Sequence, residues 1–350
     1  MSGIRKRSSG ATLRDVASDA GVSFSAVSKA LRNAYGVSDS MRLRVQASAE
    51  RLGYRPHAAA RGLRGKTFTL GVLVSDLHNS FFSEIFGGVS DTASMAGYQA
   101  MLGVGQVQPV VENAVIDAMI DRQMDGLLLV APSMSPADLE IVAEEVPTVV
   151  IGVHLPHATS FDTVNNDDET GARLVVRHLQ EQSISDIAFF TLAGLPEARG
   201  TTLEFRERGY RDEMQLLGLQ QHIQVVGASM DSGEIRSAAL RLLSGKRRPR
   251  AVFCWTDYAA FEVIGVAKEL GLSLPEDLVV VGYDNTPYCA LPQHSLTSID
   301  QFGQLLGQQA TRLLLERVAG RTSPEHFVVK PTLVTRDSTV IIKPSVSSNL

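Results

Sequence analysis

Two groups of residues in this chain have types and spacings suited to recognition chemistry. The first lies in residues 12–31, TLRDVASDAGVSFSAVSKAL. Phe24, Ser25, Ser28 and Lys29 place an aromatic tip, hydroxyls and a cation on one side of a short segment. Phe24, Ser25 and Lys29 are expected to face base edges, with the lysine donating to guanine O6 and N7. Thr12, Ser28, Arg42 and Arg44 are expected to meet phosphates, which fix register without reading sequence. The second group is scattered through the body: SDLHNSFF at 75–82, His154, NNDD at 165–168, WTDY at 255–258 and YDN at 283–285. Carboxylates and amides bind several hydroxyls, and an aromatic plane covers the apolar face of a sugar ring.

The elements that must hold the first group read as three short helices. Leu13, Val16, Ala17 and Ala20 form one apolar stripe, Thr12 and Asp15 are spaced as a capping pair, and Gly21 ends the helix. Ser23 is placed to cap a second helix with Val27, Ala30 and Leu31 inward and the recognition residues outward. Ser38 or Asp39 starts a third, in which Met41, Val45, Ala49 and Leu52 close a small core before Gly53. Such an arrangement is a helix-turn-helix.

From Phe68 onward strand and helix patterns alternate: FTLGVLVS, YQAML, DGLLLVA and TVVIGV in one half, then IAFFTLA, HIQVVGA, RAVFCWT and LVVVGYD in the other. The stretch NNDDETG between them reads as a turn. Alternation of this kind means parallel sheets with helices on both faces, here two doubly wound lobes with a cleft between them. Asp167, Asp168 and Asp257 are equally suited to cap the helices that follow them.

The net charge of −5 over 350 residues conceals a division. Residues 1–64 carry 12 Lys+Arg against 4 Asp+Glu, and the remainder carries 21 against 34. A basic front on an acidic body suits phosphate contact at one end. Apolar runs are of strand length and the basic N-terminus lacks an apolar h-region, so a cytoplasmic address is expected, with no membrane segment. Cys254 and Cys289 have no metal-ligand spacing and read as reduced structural thiols. Gly65-Lys66-Thr67 fails as a P-loop because Ala60 stands where a glycine is required. With no nucleophile elbow and no HExxH, no catalytic residue, metal or cofactor is expected.

The run DVASDAGVSFSAVSKALRN, followed by Val37-Ser38, MRLRVQASAERLGY, Arg55-Pro56 and HAAARGL, resembles the headpiece of the LacI/GalR family of bacterial transcription regulators. The resemblance implies an α/β protein: a three-helix headpiece over 1–56, a hinge helix over 57–66, and two doubly wound lobes of periplasmic-binding-protein type over 67–342. The first lobe would comprise about 67–166 plus 299–325, the second about 167–298 plus 326–342, with 343–350 a tail. It implies a homodimer that binds a palindromic double-stranded DNA operator, a small-molecule effector such as a sugar or sugar derivative, and repression of a carbohydrate or sugar-acid operon. A ligand-independent or protein-controlled regulator is the alternative. Ser23, His57 and Ala60 join the DNA-facing set, and Leu63 is expected to wedge into the minor groove. Asp76, Asn79, Phe81, Phe82, Arg206, Asp257 and Asp284 match the effector site, with Trp255 as its floor. Departures from the family pattern are Lys29 for arginine, His57 for a small polar residue, Ser80 for proline, Thr256 for asparagine, and Ser183-Ile184 for Gly-His.

Overall fold

The computed structural model describes residues 11–31, 35–54, 66–193, 200–229 and 231–340. The chain divides into two compact units, residues 1–67 and 68–350.

In the first unit α1 (Leu13–Ala20), α2 (Phe24–Ala30) and α3 (Asp39–Arg51) pack about Val16, Val27, Ala30 and Val45, all essentially inaccessible to solvent. Every start is capped as its sequence demands. Thr12 and Asp15 make a reciprocal capping box, Ser23 accepts from the Ala26 amide and Ser38 from the Met41 amide. Gly21 takes the left-handed conformation that a tight turn requires (φ +65°). The Ser48 and Arg51 side chains both donate to Asp19, tying α3 to α1 and holding that carboxyl below its usual range. A core of this size is marginal on its own.

The second unit contains, among the described residues, two six-stranded sheets. The first sheet takes β1 (Thr69–Val74), β2 (Gln99–Val104), β3 (Gly126–Val130), β4 (Thr148–Ile151) and β5 (Asp162–Asn166). Helices α4 (Phe81–Met95), α5 (Pro109–Asp121) and α6 (Pro136–Glu145) connect its strands. Leu70, Val72 and Val74 of β1 point to one face and Leu73 to the other, feeding two separate cores. The second sheet takes β6 (Ile187–Leu192), β7 (Gln224–Ala228), β8 (Ala251–Cys254), β9 (Val279–Asp284) and β10 (Thr297–Asp300). Its helices are α7 (Asp168–Glu181), α8 (Thr202–Leu216), α9 (Ser232–Ser244) and α10 (Asp257–Glu269). Its core holds the buried aromatics Phe189, Phe190, Tyr210, Phe253 and Tyr283. Both cysteines are buried and unbridged. Among the described residues no helix is long and apolar enough to cross a membrane.

The chain passes between the sheets three times: after β5, after β10, and between β11 (His326–Val329) and β12 (Thr332–Val334). The second passage leads into α11 (Gly303–Val318), which returns to the first sheet and lies against α4. The two helices touch backbone to backbone. A Cβ on Gly88 would fall 2.1 Å from the Gln304 carbonyl oxygen, and one on Gly307 would fall 2.1 Å from that of Ile85. Strand β11 pairs in parallel with β5, so the return to the second lobe comes at Thr332 and not at 326 as the sequence suggested. Lys330-Pro331 makes that last passage.

One strand escaped the sequence. DTVNN, whose two asparagines read as part of the turn NNDDETG, forms β5 and is buried throughout. Asp162 is satisfied by Arg321 and Asn165 by the Gly152 amide and Val153 carbonyl, while Asn166 pairs through its Nδ2 alone, with the Gln301 carbonyl.

Candidate DNA interface and effector cleft

On the headpiece, Phe24, Ser25 and Lys29 are exposed, Phe24 by 53%, on the side of α2 away from the buried Val27 and Ala30. Ser28, half-buried, lies on the same stretch. Thr12 and Ser23 carry hydroxyls engaged in the caps of α1 and α2, so they present helix N-termini whose partial positive charge suits phosphate. Arg42 is half-buried and pairs with Asp39 at 3.2 Å, while Arg44 is exposed. His57, Ala60 and Leu63 lie outside the described residues.

In the body, the carboxyl ends of the strands open onto a cleft between the two sheets. Its lining includes Asp76, Asn79, Phe81 and Phe82 from the first lobe, Arg206, Trp255 and Asp284 from the second, and Gln301 from a crossover. Seven of the eight sequence-selected residues are thus brought together. Asp257 is the exception and a correction. Its carboxylate is fully buried, accepts from Ser298 Oγ at 2.5 Å and the Thr286 amide at 2.7 Å, and does not line the cleft. Strand β9 explains why: Gly282 leaves the space this carboxylate fills, and a Cβ there would sit 2.2 Å from it. Asp257 therefore fastens the loop after β9 to β10. Nor does it cap α10, since Thr256 takes that place by accepting from the Ala259 amide.

Asp284 is the hub of the cleft. It receives Asn79 Nδ2 at 2.8 Å from across the cleft and Gln301 Nε2 from the crossover. Burial, and then the nearby Asp257 charge, push its carboxyl well above the usual range. Its backbone has φ +121°, a region disfavoured for any residue with a side chain. Strain of this kind gathers where a side chain must be aimed. Asp76 folds its own loop, accepting from the His78 and Asn79 amides.

Arg206 is 5% exposed, and most of its donors are committed. Nε donates to Asp168 at 2.8 Å, Nη1 to the Trp255 carbonyl at 2.7 Å and Nη2 to Gln301 at 3.0 Å, with the guanidinium 3.7 Å above the Tyr283 ring. Burial opposes its charge, and Asp168, Tyr283 and Asp284 together more than restore it. The other oxygen of Asp168 meets His154 Nε2 at 2.8 Å, and His154 stacks on Phe205. Trp255 is almost fully buried and stacks on Phe190, with ring planes 11° apart.

Sequence reasoning left Gln301 unselected. It assigned Asp168 to capping, whereas Asp167 is the cap of α7 and Asp168 the partner of Arg206. A signal was present in the second case: two adjacent aspartates cannot both cap one helix.

A headpiece with an exposed recognition helix and a body enclosing a largely apolar cleft with a few placed polar groups define a DNA-binding regulator with a ligand-binding domain. Residues 12–57 match the bacterial regulatory proteins of the lacI family, and residues 176–339 match the periplasmic binding protein-like domain. The chain is 34% identical over 323 residues to the HTH-type transcriptional repressor CytR of Escherichia coli (strain K12), covering 91% of this chain and 92% of that one. It is similar to the solved transcriptional regulator CelR-cellobiose complex (27% identity, TM-score 0.68, 94% and 99% coverage). It is also similar to the Lac repressor bound to ONPG in its repressed state (25% identity, TM-score 0.80, 94% and 100% coverage). This chain belongs to the LacI family of bacterial transcription regulators.

Proposed function

We propose that the protein is a cytoplasmic, homodimeric repressor of a carbohydrate-utilisation operon, and that a small effector in the cleft sets its affinity for a palindromic operator. The observation that carries this reading is the hydrogen bond from Asn79 to Asp284 across the cleft. A solute that exchanges this contact for its own links occupancy to lobe arrangement. A ligand changes an equilibrium only by its differential affinity for the two arrangements. The similarity to a cellobiose-bound regulator supports a sugar as the effector. The relatives being transcriptional regulators supports a role without catalysis.

On the headpiece Lys29 reads a base and Arg42 and Arg44 hold phosphates. The test is fluorescence anisotropy of the full-length protein with DNA selected from a random pool. Lys29→Ala is expected to relax preference at one base pair by about 1–3 kcal/mol. Arg42→Ala and Arg44→Ala are expected to weaken all sequences alike and to reduce the salt slope by about one each. Selection that yields no symmetric site defeats the reading.

A further inference from the structure

Four side-chain amides line the cleft among the described residues: Asn79, Asn165, Asn166 and Gln301. Three are engaged at both ends. Asn79 donates to Asp284 and accepts from the Phe81 amide at 3.0 Å. Asn165 accepts from the Gly152 amide at 3.0 Å and donates to the Val153 carbonyl at 2.9 Å. Gln301 donates to Asp284 and accepts from Arg206.

Asn166 is different. It is 3% exposed, its Nδ2 donates to the Gln301 carbonyl at 2.7 Å, and its Oδ1 has no partner. The orientation of this amide is fixed by chemistry, because a backbone carbonyl only accepts and the NH2 end must face it. A buried acceptor left unpaired in a native protein calls for a partner that arrives later. Asn166 also stands at the end of β5, on the passage between lobes, where a contact reports to both.

The charges around it restrict what that partner is. Among the described residues the cleft is lined by Asp76, Asp168 and Asp284 against one cation, Arg206. Asp168 already matches Arg206, as an ion pair buried on both sides. A phosphate or carboxylate on the ligand would therefore find no unpaired cation among the described lining residues, whereas hydroxyl hydrogens would meet acceptors.

We propose that Asn166 is a specificity-determining residue of the cleft, its Oδ1 accepting a hydrogen bond from an uncharged, hydroxyl-rich effector. The assignment rests on the cleft being the effector site, as argued above. It selects neutral sugars over sugar acids and phosphosugars.

The experiment is a titration of the full-length protein, followed by thermal shift and by emission of Trp255, the single tryptophan. The probes are ribose, glucose and cellobiose, set against ribose 5-phosphate, glucose 6-phosphate and gluconate. A neutral probe is expected to raise Tm while its charged counterpart does not. Asn166→Leu is expected to weaken the neutral probe about tenfold, the loss of one hydrogen bond. Asn166→Ala removes the same acceptor without adding bulk, and it is expected to show the same loss should the leucine variant fail to fold by circular dichroism. Tighter binding of a charged probe, unchanged affinity in both variants, or a panel in which nothing binds the wild type overturns the proposal. Operator binding by the same wild-type preparation, without solute, separately decides whether the regulator reading stands.

Discussion

Arg206→Met tests whether the buried cation of the cleft is held by the protein itself. Arg206 and Asp168 side chains are 6% and 0% exposed and pair at 2.8 Å. Removing one partner of a buried pair leaves an uncompensated charge and costs about 3–5 kcal/mol. His154, at 2.8 Å from the second oxygen of Asp168, is placed to absorb part of this, so about 3 kcal/mol is expected. The bare Trp255 carbonyl is included in that figure. Adding Asp168→Asn removes the stranded charge while keeping an amide for His154. The double variant is expected to regain about 2 kcal/mol, since neutral replacements of buried pairs are often close to wild type. The assay is urea unfolding of the full chain followed by Trp255 emission, which reports the body because no other tryptophan is present. A loss below about 1 kcal/mol in the single variant, or strictly additive effects in the double, would refute the reasoning, because either outcome means the pair is not desolvated.

Two further predictions concern stability. Burial, then the Asp300 and Asp257 charges, raise Glu84 to about 7 from 4.5. The folded chain therefore holds a proton in the window between those values that the unfolded chain has released. The stabilisation is fully present below pH 4.5 and is lost as pH rises toward 7. The full shift corresponds to about 3 kcal/mol, and solvent screening at this half-buried site reduces it to about 1–2 kcal/mol. Glu84→Gln is expected to flatten the decline in urea midpoints across this window, and a slope equal to wild type would contradict it. Ser183 follows the last turn of α7 with φ +64°, the left-handed region that favours glycine. Ser183→Gly is expected to stabilise by about 1 kcal/mol, raising Tm by roughly 2 °C by calorimetry, and a lowered Tm would show the left-handed turn to be unstrained.

Much of this protein is written locally in its sequence. The headpiece is legible because capping and helical periodicity act within a few residues: Thr12 with Asp15, Ser23 with Ala26, and Val16 with Ala17 on one face. The alternation of strands and helices is legible because parallel strands buried on both faces must be apolar runs. Strand β5 defeated that rule, since Asp162, Thr163, Asn165 and Asn166 are acceptable in a core only when distant partners satisfy them. One of those partners, Arg321, lies 159 positions away in sequence from Asp162. The same physics divided the cleft residues. Strand-end position was enough to select Asp76, Asn79 and Asp284, while Arg206, on a helix, came from the family resemblance. Only the tertiary structure could separate Asp257, turned inward by the space at Gly282, from Asp168, turned toward Arg206. Residue type and local spacing decide which elements form, whereas the direction of a buried polar side chain is decided by whichever partner chain crossing brings within hydrogen-bonding distance.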